Sequence, residues 1–165
     1  RKAKYGLLAQ PYAFFESIWS TFIEKGQGCL LLAAYQGRLI GGVVFIFWKD
    51  ACYYKFSASD TEYLHLKPNN LLLWRGIQEA KERGFRLLDL GRSPVGQSGL
   101  IAYKKAFGAS AEDLYAVTFS CIKDQPQRTD RFKGVLSELT RLFVQPSVPD
   151  SVTEQAGALL YRFFT

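Results

Sequence analysis

Apolar residues recur at two different spacings along the chain, and the switches between them set the expected order of elements. After Pro11, the positions Tyr12, Phe15, Trp19, Phe22 and Ile23 return at the period of one helix face, and Gly26 closes the stretch as a C-terminal cap. Then the pattern changes. Residues 29–35, 39–48 and 51–57 are apolar or aromatic runs divided only by Gln36-Gly37-Arg38 and Lys49-Asp50, which are connections of hairpin length. A three-stranded antiparallel meander is expected. Gly41 and Gly42 inside the middle run mark a bulge or a close approach, either of a packed helix or of a ligand.

Helical spacing returns over 70–83, where Leu73, Ile77 and Ala80 line one face, Asn69 or Asn70 is placed to cap the start, and Gly84 to cap the end. Arg75, Glu79 and Arg83 stand four apart on the other face and read as solvated surface. A strand over 85–90, a loop over 91–98 and a short helix over 100–107 follow. A loop in that position lies at the strand's carboxyl end, where α/β folds bind ligands. A strand over 114–122, a polar break over 124–128 and two helices complete the pattern. The first helix carries Phe132, Val135, Leu136, Leu139, Leu142 and Phe143, and the second is entered by Ser151 and Glu154 as a capping box before Ala156, Leu159, Leu160 and Phe163.

Composition narrows the class. With 165 residues, 48% of them hydrophobic and 22% charged, the chain has the makings of one compact core and is not disordered. Its longest apolar run, 39–48, is far short of the roughly 20 residues a membrane span needs. A net charge of +6 favours an anionic partner such as a phosphorylated cofactor, nucleic acid or an acidic surface, although no Lys/Arg stripe concentrates it. Cys29, Cys52 and Cys121 lie far apart inside apolar runs, like buried reduced thiols, which points to a reducing, cytoplasmic compartment. With His65 alone and no CxxC pair, a zinc site or a Cys/His nucleophile has almost no raw material. No metal is expected. A sequence that starts at Arg1 and contains no Met reads as a piece of a longer protein.

Candidate chemistry gathers after the long helix. Gly91-Arg92-Ser93-Pro94-Val95-Gly96-Gln97-Ser98 has the glycine spacing of a P-loop, but Gln97 stands where the lysine is needed, which excludes an NTPase. Two readings of the loop remain, an anion cradle built from backbone N–H groups and Arg92, and a plain connection. Lys104 and Lys105 sit between Tyr103 and Phe107, aromatics that would anchor the segment and fix an ammonium beside the sheet, where it can stabilise charge on a carbonyl oxygen. Asp60, Glu62 and Asp89 are the acids nearest this region, with Asp89 expected to orient Arg92 or cap the loop, and His65 reads as a loop residue.

The string Pro68-Asn69-Asn70-Leu71-Leu72-Leu73-Trp74, then Ile77, Ala80 and Gly84, then Leu88-Asp89-Leu90-Gly91-Arg92-Ser93, then Gly99-Leu100 and Tyr103-Lys104-Lys105-Ala106-Phe107-Gly108, resembles the Fem-like branch of the GNAT acyltransferases. Gly37-Arg38-Leu39-Ile40-Gly41-Gly42-Val43 is similar to the paired central strands of GNAT domains at large, so the resemblance covers roughly 29–121. It implies an α/β (α+β) fold, a mixed, mostly antiparallel twisted sheet flanked by helices, with a cleft where two central strands splay apart. It also implies acyl transfer to an amine. Lys104 matches the family lysine that stabilises the oxyanion, Tyr103 an aromatic that packs beside the substrates, and Arg92 and Ser93 the loop at the mouth of the cleft. Lys105, Asn69, Asn70 and Trp74 complete the expected substrate-binding set.

Two departures follow. CoA-using relatives carry an Arg/Gln-x-x-Gly-x-Gly/Ala loop for the pyrophosphate, and here that place reads Lys67-Pro68-Asn69-Asn70-Leu71. Fem-type enzymes hold two copies of this domain, whereas 1–165 has room for one, which suits the carboxyl-terminal half of such a protein. Three functions are therefore carried forward. The first is an acyl or aminoacyl transferase acting on an amine of a cell-envelope or polysaccharide precursor. The second is an acetyl-CoA-dependent N-acetyltransferase, and the third a non-catalytic module docking on tRNA or another domain. No cofactor is expected to be firmly bound, the acyl donor being acetyl-CoA, another acyl-CoA or aminoacyl-tRNA. The partners in view are a small-molecule or envelope-precursor acceptor, tRNA as donor carrier, and a second GNAT-like domain or a homo-oligomer.

Overall fold

The fold was obtained as a computed structural model, which describes residues 6–115, 117 and 125–163. In chain order the helices are α1 (Tyr12–Ile18), α2 (Pro68–Glu82), α3 (Ser98–Ala106), α4 (Gln125–Phe143) and α5 (Asp150–Leu160), and the strands are β1 (Gly28–Tyr35), β2 (Arg38–Trp48), β3 (Ala51–Ser59) and β4 (Leu87–Asp89). These residues gather into two compact units, one over 19–115 and one built from the segments on either side of it.

In the unit over 19–115, the hairpins form where the composition places them. Gln36 and Gly37 both adopt positive φ, 48° and 80°, the geometry of a two-residue turn that matches strand twist, and Lys49 does the same at 55° in the next turn. The sheet order is β1-β2-β3-β4, antiparallel through β3 and parallel between β3 and β4. Parallel pairing requires a crossover, and α2 supplies it. Two register shifts punctuate the ladders, leaving Ile40 on β2 and Lys55 on β3 as extra residues.

One sheet face is covered by α2. Ile40, Val43, Phe45 and Phe47 of β2 are buried against Leu72, Leu73, Gly76 and Ala80 of α2, with Cys52 beneath them. Both glycines of the middle strand are explained by packing. A side chain on Gly41 would press on Pro68 and Leu72 at 3.2 and 3.3 Å, and one on Gly42 would meet Leu32 on the other face at 3.1 Å. Burial pushes the Cys52 thiol up to about 12, so it stays protonated, and Cys29 is likewise a free, half-buried thiol.

Several expectations are corrected. The helix foreseen over 12–23 is α-helical only to Ile18 and π-helical over Trp19–Ile23, with Gly26 at φ 69° beyond it. The long helix starts at Pro68, two residues early, because proline suits the first helical position; its N-cap is Lys67 in the left-handed region, and neither Asn69 nor Asn70 caps it. Gly84 does follow its end, at φ 79°. Arg75 and Arg83 pair with Glu79 at 3.6 and 2.7 Å, but the Arg83 guanidinium also lies 4.9 Å over the Phe47 ring and closes the end of the core. Of the strand foreseen over 114–122, Leu114, Tyr115 and Val117 lie outside any strand, and the remainder, Cys121 included, falls outside the described residues.

In the other unit, Thr153 donates from Oγ1 to the Phe143 carbonyl at 2.9 Å, tying α5 to the end of α4, and Gly157 lets the Ala9 carbonyl approach α5. The capping box of Ser151 and Glu154 does not form, since α5 opens at Asp150 after Pro149 with no side-chain cap. Helix α4 begins at Gln125, inside the expected polar break, with Pro126 in its first turn where a missing N–H is harmless.

A methyl group at Gly76 would overlap the Phe45 ring. Gly76→Ala is accordingly expected to lower stability by about 2 kcal/mol despite its better helix propensity. Urea unfolding checks this, with Gly76→Ala/Phe45→Leu expected to lose less than the sum of the two single changes.

Candidate active site

The parallel pairing of β3 with β4 covers only Ala51 to Leu87, Cys52 to Leu88 and Tyr53 to Asp89. Beyond it β3 runs on to Ser59, whereas β4 ends at Asp89 and the backbone turns away. The turn is made by Asp89, whose Oδ1 accepts the Gly91 N–H at 2.6 Å, and by Gly91 itself at φ 70°. This is an Asx turn, which exploits a short carboxylate and a residue free to enter the left-handed region. Asp89 is exposed, not buried as its strand context implied.

Helix α3 returns to this point. The Lys104 ammonium donates to the Gly91 carbonyl at 2.6 Å and to the Arg92 carbonyl at 3.1 Å. An ammonium has three N–H groups, so two are committed to holding it and one remains. Desolvation lowers the Lys104 pKa below the ordinary lysine value, and the nearby Asp89 carboxylate opposes that effect. One residue earlier, the Tyr103 hydroxyl donates to the Asn69 carbonyl at 3.2 Å, and its ring meets Phe107 edge-on at 5.3 Å. Burial pushes the Tyr103 hydroxyl up to about 12. The phenol therefore keeps its proton at neutral pH.

Asn69 links the pieces. Its Nδ2 donates to Ser59 Oγ at 3.2 Å at the end of β3, whereas its Oδ1 is buried with no partner among the described residues. An orphaned buried acceptor costs free energy unless a donor reaches it, so this oxygen is a ready anchor for a ligand N–H. The first turn of α2 offers an anion little. Pro68 has no N–H, and those of Asn70 and Leu71 both point to the Lys67 carbonyl at 3.0 and 3.3 Å.

The structure thus brings together Tyr103, Lys104, Asn69 and the start of the 91–98 loop. Arg92 enters through its carbonyl, Ser93 is half-buried in the same loop, and the rest of that loop is an exposed turn closed by Gln97 N–H to the Pro94 carbonyl at 2.9 Å. Lys105, Asn70 and Trp74 are exposed and outside this cluster of hydrogen bonds, Trp74 on the face of α2 that does not meet the sheet. Asp60 and Glu62 are held by Arg38 at 2.9 and 3.6 Å, and Asp60 also accepts the Glu62 N–H, which gives both a structural task in the turn Thr61–Leu66. His65 belongs to that turn and stacks on Tyr63. Ser59 and the free acceptor of Asn69 were not foreseen, because both depend on where β3 ends relative to α2. The Asp89-x-Gly91 spacing was visible as a turn signal.

Comparisons place this geometry among known proteins. A family model described as an acetyltransferase (GNAT) domain matches residues 1–105. A putative acetyl transferase from Pyrococcus furiosus superposes with TM-score 0.53 at 20% identity, covering 66% of this chain and 73% of that one. AAC(6')-Iy, solved with a bisubstrate analogue, CoA-S-monomethyl-acetylneamine, gives 0.55 at 10% identity and coverages of 67% and 82%. The Escherichia coli ribosomal-protein-S18-alanine N-acetyltransferase gives 0.44 at 19% identity, and the chain spans 52% of its length. At these identities the likeness is one of fold. No curated protein matches the sequence.

Between its ordinary value near 10 and about 12, the Tyr103 hydroxyl holds in the folded chain a proton the unfolded chain has released. Its contribution to stability is therefore full below pH 10 and is lost as the pH rises toward 12. Urea melts across that interval are expected to show a steeper fall for the native chain than for Tyr103→Phe, which should also lose about 1 kcal/mol at neutral pH with the bond to Asn69.

Proposed function

Because the chain belongs to the GNAT acetyltransferase domain family, a family of enzymes, we propose that it transfers an acyl or aminoacyl group onto an amine of a cell-envelope or polysaccharide precursor. The observation that carries this reading is the Lys104 ammonium, clasped by two backbone carbonyls at the point where β3 and β4 part, with one N–H to spare. Attack of an amine on an ester or thioester builds negative charge on the carbonyl oxygen, and a fixed ammonium stabilises that charge without reorganising. Asn69 Oδ1 takes an N–H of a substrate and orients it. The proton lost by the attacking amine leaves with the departing oxygen or sulfur, while the Tyr103 ring packs beside the substrates with its hydroxyl held on the Asn69 carbonyl. No covalent nucleophile is needed.

The family draws its acyl group from acetyl-CoA. The first turn of α2 is a poor match for a diphosphate, however, since Pro68 lacks an N–H and those of Asn70 and Leu71 bond to Lys67. The donor in this reading is an activated acyl ester or thioester, with aminoacyl-tRNA as the alternative carrier to an acyl-CoA. The envelope-precursor acceptor rests on the Fem-like motif from Pro68 to Gly108. A second GNAT-like domain, or a second copy, would then complete the acceptor side, in the cytoplasm where activated precursors are made. Among the described residues no helix is long and apolar enough to cross a membrane.

Transfer of labelled acyl groups from acetyl-CoA and from aminoacyl-tRNA to amine acceptors tests the reading. Lys104→Ala is expected to lower turnover by about 10²- to 10³-fold, the scale for removing one oxyanion donor, while the thermal melt stays cooperative. Full turnover in that variant would sink the assignment.

A further inference from the structure

The lysine is only as well placed as the two carbonyls that hold it, and both belong to a turn whose shape is set by one side chain. Asp89 Oδ1 accepts the Gly91 N–H at 2.6 Å, Gly91 stands at φ 70°, and the Gly91 and Arg92 carbonyls receive the Lys104 ammonium at 2.6 and 3.1 Å. We propose that Asp89 is a positioning residue for Lys104, acting through the Gly91 turn and through its own negative charge. This rests on the reading of Lys104 given above, but the connection from Asp89 to Lys104 can be observed without turnover.

The geometry carries the first half. A peptide that enters the left-handed region at Gly91 has an N–H directed back along the chain, and the preceding strand offers the Asp89 carboxylate to receive it. With that N–H held and Gly91 at φ 70°, the course of the next peptide is steered so that the Gly91 and Arg92 carbonyls converge on the Lys104 ammonium. A lysine side chain has four rotatable bonds, so without fixed acceptors its ammonium would sample a wide volume. Two carbonyls that converge on one nitrogen remove that freedom.

Charge carries the second half. The groups around Lys104 are Asp89 at the end of β4, Arg92 in the loop, Tyr103 and Lys105 on its own helix, and Tyr54 on β3 beside Gly91. Among the described residues, Asp89 is the anion whose charge acts on Lys104. Partial burial disfavours the ammonium, Asp89 favours it, and carbonyl dipoles alone would leave the lysine more easily deprotonated.

The test compares Asp89→Asn, which keeps an acceptor for the Gly91 N–H but loses the charge, with Asp89→Ala, which loses both. The full chain is labelled with 13C at the lysine side chains, the Lys104 signal is assigned by its disappearance in Lys104→Arg, and each variant is titrated by NMR. Asp89→Asn is expected to lower the Lys104 titration midpoint with the resonance still displaced, and Asp89→Ala to bring its resonance to the averaged position of a mobile lysine with the midpoint returned toward the ordinary lysine value. With a donor and acceptor in hand, Asp89→Ala should lower kcat by tenfold or more with KM within twofold, and Asp89→Asn by less than threefold at neutral pH with an alkaline limb moved to lower pH. A midpoint and a resonance in Asp89→Ala that both match the native chain overturn the proposal. Altered titration in a chain without turnover sustains the link between Asp89 and Lys104 and refutes the transferase reading alone.

Discussion

The Phe45 ring occupies the space where any other residue at position 76 would carry a side chain. That contact brings α2 down onto the middle of the sheet and leaves Pro68, Leu72, Leu73 and Ala80 to settle along β2 on either side of it. Once α2 is seated, its amino end is fixed against the end of β3, where Asn69 reaches Ser59. Its carboxyl end is fixed too, by Arg83 lying over Phe47. The crossover then delivers β4 beside only the first residues of β3. The two strands agree in direction but not in length.

Around Tyr103 and Lys104 the proposed site is built mainly from backbone. Carbonyls of Gly91, Arg92 and Asn69 hold the two side-chain donors of α3, and the side chains themselves are few. This suits a reaction whose main demand is a charge held still in a partly dry place. It also explains why the acids that looked available as bases are occupied: Asp60 and Glu62 are bound to Arg38, and Asp89 to its turn.

Much of this was legible in the sequence, for particular reasons. The meander was visible because apolar runs and two-residue connections obey local rules, and Gly84 was visible because a helix end needs a left-handed residue. Tyr103 and Lys104 were found through a motif, and the structure brings them to one place. Asn69 was expected both as a helix cap and in the binding set; the cap is not formed, because the helix has already begun at Pro68. What stayed hidden were the residues whose roles depend on register. A single extra residue at Lys55 shifts the pairing of β3, and nothing local in Tyr54-Lys55-Phe56 announces it. Trp74, expected in the substrate-binding set, is exposed on α2 and outside the cluster of hydrogen bonds around Lys104.

The stretch from Ser93 to Gln97 is bounded on one side by the carbonyls that grip Lys104 and on the other by the helix that carries it. Val95, at its tip, is almost wholly exposed. A segment tied at both ends to the same clasp can lengthen, shorten or change composition with little effect on the charge at its base, since added length in such an excursion is cheap in entropy. In the proposed function, recognition and reactivity would thereby be separated along the chain. A lineage built on such an arrangement would trade one acceptor for another by rewriting five residues, and inherit the proposed reaction unchanged.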